Sequence, residues 1–279
     1  MLREIEVHHL QTAVQQLISE AAYRLPEDYL QSLAAAQESE QSPLGQNIIL
    51  TLRENAGYAQ AEQIPTCQDT GMAILHLQVG QHVHFIGGDL HYAIEEGVRL
   101  AYGNLRKSVV ADPLLRANSG DNTPPILHTE LVPGNQVQIT LLMKGFGAEM
   151  MSRIKMLPAS AGEAGVREFI VETIEIAGPN ACPPLIVGVG LGSSFDGVAH
   201  LAKKALLRPV GKPNPARHLA QLERELLAEI NDLGIGPQGL GGTVTALAVH
   251  IESYPTHIAA LPVAVNLNCS APRRAVAII

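Results

Sequence analysis

The residues best equipped for chemistry fall in Pro65-Thr66-Cys67-Gln68-Asp69-Thr70-Gly71, which sets a thiol, an amide, a carboxylate and a hydroxyl between a proline and a glycine. The apolar run Met72-Ala73-Ile74-Leu75-His76-Leu77 follows at once. Proline pushes the residue before it toward extended geometry and glycine punctuates a turn, so the polar cluster sits on a turn feeding a sheet. Side chains on such a turn can converge on a ligand. A lone cysteine there reads more simply as a buried structural residue. Two more cysteines in comparable settings change that reading. Cys182 lies in Gly178-Pro-Asn-Ala-Cys-Pro-Pro184, just before Leu185-Ile-Val-Gly-Val189, and Cys269 closes Leu261-Pro-Val-Ala-Val-Asn-Leu-Asn-Cys269. All three sit at the ends of predicted strands.

Three chemistries are open to such a set. Zinc on three thiolates needs a fourth ligand, and catalytic zinc usually takes more histidine. A nucleophilic cysteine needs a base, for which His257 is available, but that leaves two thiols without a role. Three thiolates on a four-iron cube leave one iron open, a Lewis acid suited to hydroxy acids with a poor leaving group. Such a site would also want Arg, Gln and His for carboxylates, and Gln68, Arg106 and His257 are on offer. The cysteines are far apart in sequence and match no zinc finger, Cys-x-x-Cys pair or ferredoxin run. Only the fold can bring them together.

Composition narrows the classes. The chain has 279 residues, which suits one large domain or two intimate lobes. Its apolar fraction of 46% is ample for a core, but it has no Trp, so Ala, Val, Leu and Gly must do the packing. A formal charge of −8 argues against nucleic acid, which needs a basic face. No apolar run reaches the roughly 20 residues that span a bilayer, and Met1-Leu-Arg-Glu-Ile-Glu lacks the pattern of a leader. The expected location is the cytoplasm. An odd cysteine count there argues against a disulfide framework.

The elements that must position these residues follow from periodicity. His8–Leu25 repeats apolar residues at helical spacing until Pro26 stops it, and Glu27–Ala36 and Gly45–Ala56 read as further helices, Ser42-Pro43 starting the latter. Gln81–Phe85 alternates as a strand whose His82 and His84 share one face, a metal pair in principle, but with no carboxylate or third His nearby they read as facing solvent. His91–Leu105 is a helix ending in the basic pair Arg106-Lys107, which suits a helix C-terminus or an anion equally. Ile126–Lys144 reads as a β-hairpin turning at Val132–Asn135, and Gly145-Phe146-Gly147 after it leaves backbone open to a ligand or makes a simple turn. Ala161–Ala177 is helical and Pro183–Gly192 is a buried strand. Its Gly188-Val-Gly190-Leu-Gly192 run only loosely matches a dinucleotide fingerprint, since Ser193 stands where that pattern wants glycine. Helices at Phe195–Leu207 and His218–Leu233 come next, then the glycine-rich loop Gly234–Gly242, strands Thr243–Ile251 and His257–Cys269, and a basic tail Pro272-Arg273-Arg274. No internal repeat is visible.

Five ordered motifs carry a resemblance: Pro65–Gly71, Gly120-Asp-Asn-Thr-Pro124, Ala181–Pro184, Gly234–Gly242 and Thr256–Cys269. Together they resemble the iron–sulfur class I fumarases and L-tartrate dehydratases, in particular the α subunit of the two-subunit form. The resemblance implies a 4Fe-4S cluster held by Cys67, Cys182 and Cys269. It implies substrate contacts at Gln68, Asp69, Arg106, Gly147 and His257, with Asp69 and His257 also in catalytic roles. The stretch Lys144-Gly-Phe-Gly-Ala148 departs from the family's Lys-Gly-Gly-Gly-Ser, which weakens the transfer to Gly147. Single-chain members continue into a second domain with further Arg and Lys and a catalytic Thr. This chain is therefore expected to be half an enzyme, completed by a β subunit in an α2β2 assembly.

The expected fold is α+β. A helical N-terminal lobe of about residues 1–64 packs on a mixed β-sheet with flanking helices, in an α/β lobe of about 65–279, with cluster-ligand turns at strand ends. The whole is one α-subunit domain, 1–279. The expected reaction is reversible hydration of fumarate to (S)-malate, a dicarboxylate substrate, with an open iron as Lewis acid. L-tartrate dehydration is the rival within the family. A non-catalytic iron–sulfur scaffold or sensor is the rival outside it.

Overall fold

The computed structural model describes residues 2–279 and has the mixed α+β architecture expected. The elements in chain order are β1 (Arg3–Glu6), α1 (Val7–Tyr23), α2 (Glu27–Ser39), α3 (Pro43–Glu62), β2 (Met72–Gly80), β3 (Val83–Ile86), α4 (Leu90–Ala101), β4 (Ile126–Val132) and β5 (Val137–Lys144). They continue with α5 (Phe146–Glu149), β6 (Arg153–Pro158), α6 (Gly162–Ala177), β7 (Leu185–Gly192), α7 (Phe195–Ala205), α8 (Arg217–Asp232), β8 (Ala246–Tyr254), β9 (Ala260–Asn268) and β10 (Arg273–Ile278). Among the described residues, no helix is long and apolar enough to cross a membrane.

The chain forms two compact units, each drawn from separated stretches. The first takes the segment up to Pro26, then Ala56–Gly145 and Pro272–Ile279; the second takes Glu27–Asn55 and Phe146–Ala271. Helices within residues 1–64 thus divide between the units.

In the first unit a four-stranded sheet runs β10-β5-β2-β4. Strand β2 pairs parallel with β4 and antiparallel with β5, and β5 pairs antiparallel with β10. The hairpin expected over 126–144 is therefore not formed. β4 and β5 do face each other across a short turn, but β2 enters between them, its end bonding to both arms through Gln81 N–H to Val132 O and Gly80 N–H to Gln136 O. β2 and β5 are buried almost throughout and take the two interior places, while the largely exposed β4 is left at the edge. Ala73, Leu75, Leu77 and Val79 line one face and pack with Leu10, Val14 and Ile18 of α1 and Ile94 and Val98 of α4. The expected basic tail is also corrected. Arg273 and Arg274 open β10, and Arg273 is only 2% exposed.

The second unit repeats the plan. Its sheet runs β6-β9-β7-β8, with β7 parallel to β8 and antiparallel to β9, and β9 antiparallel to β6. Each sheet has an inner strand joined to its parallel neighbour through helix and flanked on the other side by an antiparallel strand, which pairs antiparallel in turn with the edge strand beyond it. The sequence shows no such repeat. Along β7, Val187 and Val189 join Phe169, Ile170 and Ile174 of α6 and Leu226 and Ile230 of α8 in one core. Gly188 and Gly190 point the other way, as the two-residue period of a strand requires. A Cβ on either would lie 2.4 Å from the Ala202 carbonyl oxygen or 2.2 Å from that of Val198. The glycine run exists so that α7 can press on the sheet, which accounts for it without a dinucleotide.

One buried carboxylate fastens this unit. Glu40, 2% exposed, closes the corner between α2 and α3. It accepts from Ser42 N–H (2.8 Å), Thr243 N–H (2.9 Å) and Val244 N–H (2.8 Å) and from the Thr243 hydroxyl (3.2 Å). Burial pushes its carboxyl upward, but the three backbone amides and the hydroxyl outweigh that and leave it below its ordinary value. A carboxylate depressed on folding stabilises above the unfolded range, and the contribution fades as pH falls through the folded value. Glu40→Gln should therefore cost about 2–3 kcal/mol at pH 7, in line with charge-assisted hydrogen bonds. The gap from wild type should narrow below about pH 4, as read from urea unfolding at several pH values.

Candidate active site

In the first unit the site is built on the turn before β2. Thr66 donates its N–H and its hydroxyl to the Ala22 carbonyl at the end of α1, at 3.0 and 3.2 Å, which anchors the turn just ahead of Cys67. Cys67 is half-buried, with its sulfur 3.6 Å from Gln68 Oε1. Asp69 Oδ1 accepts from Gly71 N–H at 2.9 Å, a side-chain turn of the kind aspartate favours. Gly71 has φ +68°, and a Cβ there would lie 2.4 Å from the Lys144 carbonyl oxygen. Only glycine fits.

The turn is tied to the stretch after α4. Thr70 is buried and its hydroxyl donates to the Arg106 carbonyl at 2.5 Å. Tyr102 donates its hydroxyl to the Thr70 carbonyl at 3.2 Å. Asn122 is wholly buried: its Nδ2 donates to the Gly71 carbonyl (3.1 Å), and its Oδ1 accepts from Ser108 N–H (2.6 Å) and Val109 N–H (3.0 Å). These bonds set Gln68, Asp69, Arg106, Lys107 and Ser108 around an open cavity of about 370 Å³. Lys107 donates to the Gly103 and Leu105 carbonyls at 2.6 and 2.8 Å, satisfying the chain just beyond the helix. Arg106 is exposed toward solvent. Of the basic pair, Lys107 is engaged with backbone carbonyls and Arg106 is the one left exposed at the cavity.

Sequence reasoning missed Asn122 and Arg273. Gly120–Pro124 stands out in the sequence only as one of the motifs carrying the resemblance, and nothing local shows that its asparagine bridges two other segments. Arg273 was read as tail. Its Nη2 and Asp69 Oδ2 lie 3.3 and 3.1 Å from the point a Cβ on Gly145 would occupy. Burial drives the Tyr102 hydroxyl far above its ordinary range, while Arg273 pulls it down and Asp69 pushes it up, so the three share one neighbourhood.

The second unit carries the other two cysteines. A short 3-10 turn, Gly178–Ala181, delivers Cys182 in a left-handed conformation with φ 55°. That is an uncommon state for a residue with a side chain, and it leaves Cys182 exposed ahead of β7. Cys269 follows β9. Because Ile186 of β7 sits opposite Asn268 of β9, the start of one strand meets the end of the other. Ser270 N–H then donates to the Cys182 carbonyl at 3.0 Å, joining the two cysteine turns directly. Tyr29 donates to the Ser270 carbonyl at 2.8 Å.

Gly147 lies in α5, exposed, with its Cβ position 3.7 Å from the Asn180 carbonyl oxygen of the Cys182 turn. α5 is held there by Glu149, which accepts from Asn266 Nδ2 of β9 (2.9 Å) and from Lys203. His257 is different. It is exposed in the connection before β9, its Nδ1 accepting from Ala259 N–H at 3.2 Å. The nine residues of β9 separate it from Cys269, roughly 25–30 Å of extended chain. The second unit brings Cys182, Cys269 and Gly147 together and leaves His257 at the other end of its sheet.

None of the three cysteines is in a disulfide. Among the described residues, no group of three or more His, Cys, Asp and Glu is arranged to hold a single metal ion. The donors each unit offers are thiols on turns, Cys67 in the first and Cys182 with Cys269 in the second, a chemistry that suits a thiolate-held iron–sulfur group better than a His/Asp metal centre.

The sequence profile of the family described as Fumarate hydratase (Fumerase) matches residues 11–278. The chain belongs to that family. It is 41% identical over 273 residues to the putative L(+)-tartrate dehydratase subunit alpha of Methanocaldococcus jannaschii, covering 94% of this chain and 95% of that one. It is 37% identical over 258 residues to the L(+)-tartrate dehydratase subunit alpha of Escherichia coli, covering 90% and 84%, and equally so to that of Shigella sonnei.

The closeness of Gly71 to the Lys144 carbonyl yields a direct test. Gly71→Ala should lower stability by about 2 kcal/mol or more, since it adds left-handed strain to a backbone clash. A urea midpoint equal to wild type would show that the Lys144 strand end yields without cost.

Proposed function

We propose that this chain is the α subunit of a two-subunit, iron–sulfur-dependent hydro-lyase acting on a four-carbon hydroxy dicarboxylate. The observation that carries the reading is the setting of the three cysteines, none of them in a disulfide. Each sits on a strand-end turn, and Gln68, Asp69 and Arg106 line a cavity directly after the first of them. Cys67, Cys182 and Cys269 would hold the group, a 4Fe-4S cluster in the resemblance. When bound, it supplies an open iron that polarises the substrate's hydroxyl carbon–oxygen bond.

The remaining work falls to the chain's own side chains. Arg106, exposed at the cavity mouth, pairs with a substrate carboxylate, and the Gln68 amide donates beside it. Asp69 is the proton-handling or orienting carboxylate: Gly71 N–H fixes one oxygen, and the buried Arg273 guanidinium lies near the other. Lys107 is engaged with carbonyls and is not assigned to substrate. The roles proposed for Gly147 and His257 rest on the resemblance alone. We treat residues 1–279 as one α-subunit domain with a β subunit supplying the remaining cations and acid–base group, in an α2β2 assembly.

Tartrate is the substrate we favour, because the named relatives are L(+)-tartrate dehydratase α subunits. Loss of water from tartrate gives the enol of oxaloacetate. The family description favours the second reading, hydration of fumarate to (S)-malate. Steady-state rates of the anaerobically loaded α–β pair on L(+)-tartrate and on malate decide between them. The α chain alone should be inactive, with rate appearing on addition of β and saturating at equal stoichiometry. In the pair, Arg106→Ala should lower kcat/KM about ten- to a hundredfold, the loss of one charge-assisted carboxylate contact. Full rate from α alone, or from a chain lacking Arg106, would refute the assignment.

A further inference from the structure

The loop Gly234-Ile-Gly-Pro-Gln-Gly-Leu-Gly-Gly242 contains one residue that its own conformation does not favour. Gly234, Gly236, Gly239, Gly241 and Gly242 all have positive φ, as a loop of glycines can. Gln238 also has positive φ, 53° with ψ 19°, a left-handed state disfavoured for a residue that carries a side chain. Glycine would relieve that cost at a position surrounded by glycines. The side chain must therefore contribute something.

What it contributes is a bridge between the cysteine turns. Gln238 Nε2 donates to the Pro183 carbonyl at 2.7 Å and to the Ser270 hydroxyl at 3.1 Å, and its backbone N–H donates to the same Pro183 carbonyl at 2.8 Å. Pro183 follows Cys182 and Ser270 follows Cys269. A single primary amide thus touches the residue after each of two cysteines. The amide orientation is fixed by chemistry, because a carbonyl oxygen can only accept and so must face the nitrogen. We propose that Gln238 is the positioning residue that holds the Cys182 and Cys269 turns in register for a thiolate-bound iron–sulfur group. Its amide clamps the Ser270 N–H bond to the Cys182 carbonyl that joins the turns. Its link to the metal rests on the functional reading above; its role as a clamp rests on the hydrogen bonds alone.

Two variants of the full-length chain separate the clamp from general stability. Gln238→Gly removes the amide and the backbone strain together, so its urea midpoint should equal or exceed that of wild type. Gln238→Glu sets a carboxylate against the Pro183 carbonyl and should be the worse of the two at the site. The first readout needs no metal. Amide hydrogen exchange at Ser270 should rise about tenfold in Gln238→Gly, the loss of roughly 1.4 kcal/mol of local protection, while Leu226 and Val187 exchange as in wild type. The second is the rate at which a chelator removes iron from the anaerobically loaded chain, which should increase about tenfold in Gln238→Gly and more in Gln238→Glu. Unchanged exchange at Ser270 overturns the clamp. Faster Ser270 exchange with unchanged iron loss overturns its link to the metal. A wild-type chain that takes up no iron overturns the functional reading, and the exchange result then still decides whether Gln238 clamps the turns.

Discussion

Antiparallel register is the constraint on which the two cysteine-bearing ends depend. Once Ile186 lies opposite Asn268, the turn before β7 and the turn after β9 have no choice but to meet, and Cys182 and Cys269 come with them. The same pairing in the first sheet sets Met72 opposite Lys144, bringing the turn that carries Cys67, Gln68 and Asp69 against Gly145. Strand pairing is specified strongly wherever a face is buried, because a one-residue slip would turn every core side chain outward. The apolar cores beneath β2 and β7 thereby fix the positions of polar residues that contribute nothing to those cores.

Each sheet collects its chemistry at one end. In the first, the beginning of β2, the end of β5, the beginning of β10 and the motif before β4 supply Asp69, Gly145, Arg273 and Asn122. In the second, the beginning of β7, the end of β9 and the glycine loop before β8 supply Cys182, Cys269 and Gln238. The shared strand order makes Gly145 the counterpart of Cys269, since each follows the last residue of the antiparallel neighbour of a central strand. The first end therefore carries one thiol and the second two. The place of the absent thiol is occupied by a glycine beside Asp69 and Arg273.

Much of this was legible in the sequence, and the reasons are local. Proline and glycine around Cys67 and Cys182 announce turns, and the apolar runs beside all three cysteines announce buried strands. The helices were readable from their apolar spacing, with ends shifted by a few residues. What could not be read was long-range. Nothing between Ile126 and Lys144 reveals that β2 will enter the gap, because that depends on the pairing of β4 and β5 with a strand remote in sequence. Arg273 looked solvated because two arginines near a chain end usually are; burial beside a carboxylate comes from pairing with β5. Asn122 and Gln238 were invisible as organisers, since each acts on residues remote in sequence. His257 shows how an extended strand stretches a short sequence distance: β9 sets it at the far end of the sheet from Cys269.

The proposed function requires Cys67, Cys182 and Cys269 to serve one iron–sulfur group. Iron and acid-labile sulfide content after anaerobic reconstitution tests it most directly, on the wild-type chain and on Cys67→Ser, Cys182→Ser and Cys269→Ser separately. The account predicts about four irons and four sulfides per wild-type chain, the content of a single 4Fe–4S cluster. It predicts that each single variant fails to retain the group. Full, stable iron and sulfide content in a chain lacking any one of the three cysteines would contradict it.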